Sequence, residues 1–355
     1  MRIIITSPSL NPNFNVSGIS SVVNFIIKKN KEHEYLHFED GSRDSDSKTF
    51  TSRIIRVIKS IKAWSNLLAQ QKSAIIHFNL PLMAGAIIRD FFLLQIAHKK
   101  GKKVILHLHG GSLLKVRKRP WIINKLLTKI FAWSDSIITL SEDERQIIIN
   151  DFNLQNVYSL PNCIDLDNAK DFNKSFMRKT LHLLYLGRIE KNKGIDFIFQ
   201  SMQQLNDLNV DFLLHFAGKE ENTDEYIPKF SRTLGNRFIY HGVVSGMNKQ
   251  ELLKECDVFL LPSMYEGLPM SLIETMAYGE VPIVTNVGSM SMVVQDKING
   301  CFVNKCSSED ITKKISLLFE DKIKRETLSK AAQQTIFSLF DDKKYIAQLN
   351  QLYMK

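Results

Sequence analysis

The stretch Asp257-Val-Phe-Leu-Leu-Pro262, followed by Glu266-Gly-Leu-Pro-Met-Ser-Leu-Ile-Glu274 and closed by Gly279, decides how this chain is read. Asp257 to Pro262 is a short apolar run of the kind that forms a buried parallel strand. Leu272, Ile273, Met276 and Ala277 then recur at helical spacing until Gly279 supplies a stop and Pro282 follows. Glu266 is therefore expected on the loop at the carboxyl end of a strand, and Glu274 on the second turn of the next helix. In open α/β sheets ligands bind at that end. A helix start also presents free backbone N–H groups and partial positive charge, which suit a diphosphate. Carboxylates on either side of such a phosphate can accept hydrogen bonds from hydroxyls, which is the chemistry of a nucleotide-sugar site.

Outward from this stretch, the chain alternates strands and helices in both halves. Apolar strand candidates are 2–6, 73–78, 102–109, 135–140 and 156–160, then 181–187, 210–217, 237–244, 257–262 and 281–286. Such alternation implies parallel βαβ units with right-handed crossovers. Residues 165–180 are polar, lack an apolar period and read as a linker. The expected fold is α/β, with two doubly wound Rossmann-like domains, 1–165 and 166–340, facing each other across a cleft that excludes water when it closes.

At 355 residues, with 44% apolar and 24% charged residues, the chain is a folded protein of two ordinary domains. Cys163, Cys256, Cys301 and Cys306 show no metal-finger spacing, and the first three lie in or beside apolar runs, so reduced thiols and a cytoplasmic location are expected. The apolar run after Met1 is too short for a signal peptide, and residues 80–97 are interrupted by Arg89 and Asp90, against a membrane span. Charge is uneven. Residues 1–165 carry 23 Lys and Arg against 13 Asp and Glu, whereas 166–355 carry 24 of each. The whole excess of +10 lies in the first half.

Further motifs surround the opening stretch. Leu181-His-Leu-Leu-Tyr-Leu-Gly187-Arg188-Ile-Glu-Lys-Asn-Lys193-Gly194 reads as a strand, a glycine and two spaced cations suited to phosphate oxygens. Asn15-Val-Ser-Gly18-Ile-Ser-Ser21 follows the first strand, and Gly18 lets backbone approach a ligand. The chain lacks the GxGxxG of a nicotinamide enzyme there. Val104-Ile-Leu-His107-Leu-His109-Gly-Gly-Ser112 puts both histidines on one strand face. His109, at the carboxyl end, is expected to face the ligand, and His107 to be structural.

In residues 52–64, Arg53, Arg56, Lys59 and Lys62 recur every three residues between Ile54, Ile55, Ile58, Ile61 and Trp64. This basic amphipathic helix suits either an anionic membrane surface or a core with a solvated basic edge. Lys115-Val-Arg-Lys-Arg119 adds to the basic face. No nucleic-acid signature accompanies it. The Asp44-Ser-Asp46 and Asp165-Leu-Asp167 pairs lack a strand-end setting for a catalytic metal and read as surface polar residues; no metal or other cofactor is expected.

Taken in order, these residues resemble the retaining glycosyltransferases of family four, which have the B-type fold of two Rossmann domains (GT-B). The resemblance is carried by the Ser17-Gly18 loop, His109-Gly110, Leu140-Ser141-Glu142, Leu160-Pro161-Asn162-Cys163-Ile164-Asp165, Gly187-Arg188 with Lys193-Gly194, His241-Gly242-Val243, and above all the two glutamates eight residues apart. The family usually has Pro-Asn-Gly where this chain has Pro161-Asn162-Cys163. The resemblance implies that Arg188 and Lys193 hold the donor diphosphate and that Glu274 holds the ribose. It places Glu266, with Gly267, Leu268 and Pro269, on the transferred sugar, Val243 beside the nucleobase, His109 near the transferred sugar and Gly18 near the diphosphate. It also implies that residues 341–355 pack back onto the first domain.

The expected activity is metal-independent transfer, with retention, from a nucleotide sugar to a glycan acceptor. UDP-sugar is favoured over GDP-mannose from its frequency in the family. A polyprenyl-diphosphate-linked acceptor at the inner membrane face accounts for the basic first half, pointing to polysaccharide or O-antigen synthesis. Two alternatives stand beside it. A sugar-nucleotide epimerase of the same architecture needs no acceptor. A non-enzymatic polyanion-binding protein would bind nucleic acid in a salt-sensitive way and have no affinity for nucleotide sugars.

Overall fold

The computed structural model describes residues 1–11, 14–15, 17–41, 43, 49–110, 113, 119–220 and 225–355. The Asp44-Ser-Asp46 pair, Ser112 and Lys115 to Lys118 lie outside the described residues. The chain divides into two compact units, Met1–Cys163 with Asp342–Lys355, and Ile164–Asp341.

In the first unit, strands β1 (Arg2–Ser7), β2 (Glu34–Glu39), β3 (Ile75–Pro81), β4 (Val104–His109), β5 (Ser136–Thr139) and β6 (Val157–Ser159) form one parallel sheet in the order β2-β1-β3-β4-β5-β6. Helices α1 (Gly18–Lys29), α2 (Phe50–Gln70), α3 (Ala84–Lys99), α4 (Trp121–Ala132) and α5 (Glu142–Phe152) connect them. The central strands are almost wholly buried, as a sheet covered on both faces requires. α5 begins at a reciprocal cap: Ser141 Oγ accepts from Glu144 N at 3.2 Å, and Glu144 Oε2 accepts from Leu140 N at 3.1 Å. That cap is what the Leu140-Ser141-Glu142 motif builds.

In the second unit, after α6 (Asp167–Lys170), strands β7 (Leu181–Leu186), β8 (Phe212–Ala217), β9 (Phe238–Tyr240), β10 (Val258–Leu261), β11 (Val281–Thr285) and β12 (Cys301–Val303) form a second parallel sheet, in the order β12-β11-β10-β7-β8-β9. Counted within the unit this is the Rossmann order, which reverses between β7 and β10. Helices α7 (Ile195–Asp207), α8 (Tyr226–Leu234), α9 (Gly246–Glu255), α10 (Met270–Ala277), α11 (Ser308–Glu320) and α12 (Lys322–Leu339) cover it. Residues 165–180 are not an unattached linker. Ala169 is buried, the Phe172 ring meets Tyr278, and Gln333 Nε2 donates to the Phe172 carbonyl at 2.9 Å, all within the second unit.

The last helix, α13 (Asp342–Met354), belongs to the first unit. Lys29 Nζ pairs with Asp342 at 3.1 Å, and Asn30 Nδ2 donates to Asn350 Oδ1 at 2.6 Å. The Tyr353 hydroxyl reaches His77 Nδ1 at 2.6 Å. Two strands escape the sequence pattern, β2 and β12. Both are sheet edges, where one side of the strand is unpaired and a strong apolar run is not required. Among the described residues no helix is long and apolar enough to cross a membrane, and Cys163, Cys256 and Cys301 are buried free thiols while Cys306 is exposed.

Buried histidines give both units a common pH response. Burial pushes His77 and His215 down to about 3 and His107 well below its ordinary value. The folded chain holds these rings neutral, while the unfolded chain takes up a proton near pH 6.5. Stability is therefore full above about pH 6.5 and is lost as the pH falls toward 3. Each such ring is expected to cost about 2 kcal/mol by pH 5. Urea midpoints that are equal at pH 7.5 and pH 5 would contradict this.

Candidate donor site at the carboxyl ends of the second sheet

The Rossmann order places a topological switch between β7 and β10. Arg188 and Lys193 follow β7, while Glu266 and Glu274 follow β10, so the cations and carboxylates picked out in the sequence flank that switch from its two sides. Lys193, ending a short 3-10 turn (Lys191–Lys193), places Nζ 2.7 Å from Glu266 Oε1. Ser263 Oγ donates to the same oxygen at 2.8 Å. Glu274 stands on the second turn of α10, where Lys249 Nζ lies 2.6 Å from its Oε2. Arg188 is exposed, and its carbonyl accepts from the buried Tyr185 hydroxyl, which holds the loop to its strand.

Close backbone approaches lock these loops together. Gly194 (φ +78°) opens α7, and a Cβ there would lie 2.2 Å from the Pro262 carbonyl oxygen. Gly288 (φ +61°) lies against the Glu266 loop, where a Cβ would come within 2.0 Å of the Glu266 carbonyl oxygen. Ser289 N donates to the Gly267 carbonyl at 3.0 Å, and Met264 N donates to the Asn192 carbonyl at 2.9 Å. Pro269 caps α10 with no side-chain hydrogen bond, leaving an amide-rich helix start beside Gly267 and the buried Leu268. Val243 is exposed just beyond β9, after Gly242, whose carbonyl accepts from Gly218 N at 2.7 Å.

Gly18 and His109 belong to the first unit. Gly18 is the exposed first residue of α1, behind the Ser17 cap. His109 ends β4, half-buried, with Nε2 2.5 Å from Asn79 Oδ1 and its ring 4.3 Å from that of His107. Burial, aided by His77, lowers it to about 3, so it is neutral at ordinary pH. His107 is wholly buried, bonded through Nδ1 to His77 Nε2 at 3.2 Å.

Sequence reasoning missed Ser263 and Lys249 as partners of the two glutamates. It also missed a column of histidines, one from each of β7 and β8 and one just beyond β9. His182 Nδ1 lies 3.1 Å from His215 Nε2, and His215 Nδ1 lies 3.0 Å from His241 Nε2. Among the described residues, His182, His215 and Glu255 bring ligand atoms within 4.8 Å of one another, close enough to hold a cation. However, Arg178 Nη1 stands 3.5 Å from His182 Nδ1 while its Nη2 donates to the Glu255 carbonyl at 2.7 Å. The guanidinium also lies 3.9 Å from Glu255 Oε1, so a cation already stands beside two of the three ligand groups, and the column reads as hydrogen-bonded rings that burial keeps neutral.

Comparisons with known proteins agree with this architecture. The profile described as "Glycosyl transferases group 1" matches residues 167–335, and that described as "Glycosyltransferase Family 4" matches residues 35–168. The chain belongs to the family-four type of glycosyltransferase, with the two-Rossmann-domain GT-B fold. It is 23% identical over 321 residues to the Escherichia coli UDP-Gal:alpha-D-GlcNAc-diphosphoundecaprenol alpha-1,3-galactosyltransferase, covering 85% of this chain and 80% of that one. It is 27% identical over 241 residues to the Campylobacter jejuni N,N'-diacetylbacillosaminyl-diphospho-undecaprenol alpha-1,3-N-acetylgalactosaminyltransferase, covering 64% and 62%. Sucrose-phosphate synthase from Thermosynechococcus elongatus superposes with a TM-score of 0.77 at 17% identity, over 99% of this chain and 98% of that one.

Proposed function

We propose that the chain transfers a sugar from a nucleoside-diphosphate donor, a UDP-sugar in preference to GDP-mannose, to a glycan carried on a polyprenyl diphosphate. The observation that carries the reading is the Lys193–Glu266 pair at one Rossmann switch point, with Arg188 on the same loop as Lys193 and Glu274 on the helix that follows Glu266. The E. coli relative uses UDP-Gal, and both curated relatives act on sugars linked to diphosphoundecaprenol, which favours UDP, a lipid-linked acceptor and polysaccharide or O-antigen synthesis.

The proposed mechanism follows from charge. As the glycosidic bond to the donor phosphate breaks, negative charge grows on the leaving diphosphate. Arg188, Lys193 and the start of α10 stabilise it without a metal. Glu266 holds the transferred sugar with the Gly267 to Pro269 backbone, and the acceptor hydroxyl attacks from the face the diphosphate leaves, passing its proton to the departing phosphate oxygen and retaining the configuration. Glu274 keeps one oxygen on Lys249 and offers the other to the ribose. His109 is proposed to meet the sugar, Gly18 the diphosphate, and Val243 the base. Glu274→Ala is expected to weaken UDP binding by about 1.5–3 kcal/mol, the range for charged hydrogen bonds. An unchanged calorimetric affinity would remove Glu274 from the ribose.

The acceptor side is read from the first unit. Ile54, Ile55 and Ile58 on α2 are 42%, 54% and 60% exposed, beside exposed Arg53 and Lys59, whereas Trp64 further along is fully buried with Nε1 donating to the Leu93 carbonyl. Ile88 and Phe92 on α3 and Trp121 and Ile122 on α4 are exposed as well. The front of α2 therefore suits an anionic membrane surface and its rear suits the core, with the enzyme held peripherally at the inner, cytoplasmic face. The full chain is expected to float with vesicles containing phosphatidylglycerol and not with neutral ones. Arg53→Glu with Lys59→Glu should weaken this by roughly tenfold or more, at about 1 kcal/mol per basic residue. Flotation that ignores lipid charge would overturn the membrane reading.

A further inference from the structure

We infer that Asn79 is a positioning residue that fixes the tautomer of His109, so that His109 presents Nδ1 as a hydrogen-bond acceptor and takes a hydroxyl of its ligand, not a phosphate or carbonyl oxygen. The inference rests on the reading of His109 as a site residue and adds to it which nitrogen works, in which form, and what sets it.

Asn79 lies on β3, next to β4, and is almost wholly buried. Its backbone N–H donates to Thr6 Oγ1 at 3.0 Å, and its side-chain Nδ2 donates to the Thr6 carbonyl at 2.7 Å. The second bond determines which way the amide faces. Reversing it would set Asn79 Oδ1 against the Thr6 carbonyl oxygen, two acceptors with no proton between them. Oδ1 therefore points away from β1, toward His109, whose Nε2 stands 2.5 Å from it. An amide oxygen can only accept, so Nε2 of His109 carries the proton.

A neutral imidazole has one N–H. With the proton fixed on Nε2, Nδ1 is left with its lone pair. No hydrogen-bond partner for that nitrogen exists among the described residues. Burial keeps the ring neutral, and the rings of His107 and His77 behind it, tied to Tyr353 at 2.6 Å, hold its plane without supplying a charge. A lone pair attracts hydroxyl protons and repels phosphate oxygens. In a sugar transferase this nitrogen is suited to the sugar and not to the diphosphate, which the two cations of the second unit serve.

The test is long-range proton–nitrogen NMR on the full chain labelled with 15N-histidine, with the His109 signals assigned by their loss in His109→Gln. The wild-type spectrum is expected to show His109 as the neutral Nε2–H form between pH 6 and 8. An Nδ1–H form or an imidazolium would overturn the inference. Asn79→Ala should mix the two tautomers and lower kcat on the order of tenfold or more, with the donor KM little changed. Asn79→Asp keeps an acceptor toward His109 but trades the donor to the Thr6 carbonyl for a second oxygen and a negative charge, so the Nε2–H pattern should return with a lower melting temperature and an acid limb of the pH profile moved upward. An Asn79→Ala spectrum identical to wild type would also overturn it. If either variant fails to fold, the wild-type spectrum alone decides. If the tautomer is as expected but His109→Gln turns over normally, the site reading of His109 fails while the role of Asn79 in fixing the ring stands.

Discussion

Alanine at Lys193 or at Arg188 is expected to lower turnover by 10²-fold or more, on the order of 3 kcal/mol of lost transition-state stabilisation. In the proposed reaction negative charge builds on a departing diphosphate, and these two side chains follow the strand on one side of the second unit's switch point. Lys193 carries a second burden. Its ammonium lies 2.7 Å from Glu266, so Lys193→Ala also leaves a mostly buried carboxylate with Ser263 Oγ as its remaining side-chain hydrogen-bond partner among the described residues. Lys193→Ala is thus expected to disturb both phosphate and sugar, and Arg188→Ala the phosphate alone. Single-turnover kinetics separates the two, since loss at Arg188 should appear in the chemical step with the sugar contact intact. Wild-type turnover in either variant would remove that residue from the site.

Gly288→Ala is expected to be among the most damaging single methyl groups in the second unit. Its φ of +61° costs an alanine roughly 1–2 kcal/mol. The added Cβ would also fall 2.0 Å from the Glu266 carbonyl oxygen and 2.7 Å from that of Gly267. Backbone cannot yield as a long side chain does, so the two loops must part, with a total cost of about 2–5 kcal/mol. A melting temperature lower by roughly 5–15 °C should accompany a loss of donor binding out of proportion to it, because the displaced backbone carries Glu266 and the α10 start. Unchanged melting and binding would mean that Gly288 is not wedged against the Glu266 loop.

The fold was legible where burial was complete. β7, β8, β10 and β11 are covered on both faces and read as predominantly apolar runs, and the spacing of Leu272, Ile273, Met276 and Ala277 marked α10. The edge strands β2 and β12 were not, because a strand paired on one side does not need such a run. α2 was legible as a basic amphipathic helix but not as one that changes role along its length, since periodicity does not say which turn meets a neighbour. Glu266 and Glu274 could be placed on a loop and a second turn from spacing alone. Their partners could not, because Lys193 is 73 positions from Glu266 and contact depends on the strand order that brings β7 beside β10. Tyr353, 276 positions from His77, was invisible for the same reason.

The proposed donor site for a nucleoside diphosphate is built by the second unit and charged by that unit's own side chains. Calorimetric titration of the full chain with UDP and with GDP, each with and without EDTA, tests it most directly. The expected result is binding of UDP in preference to GDP, unchanged by EDTA and weakened in Lys193→Ala. Binding of neither nucleotide, or binding abolished by EDTA and indifferent to Lys193→Ala, would contradict it.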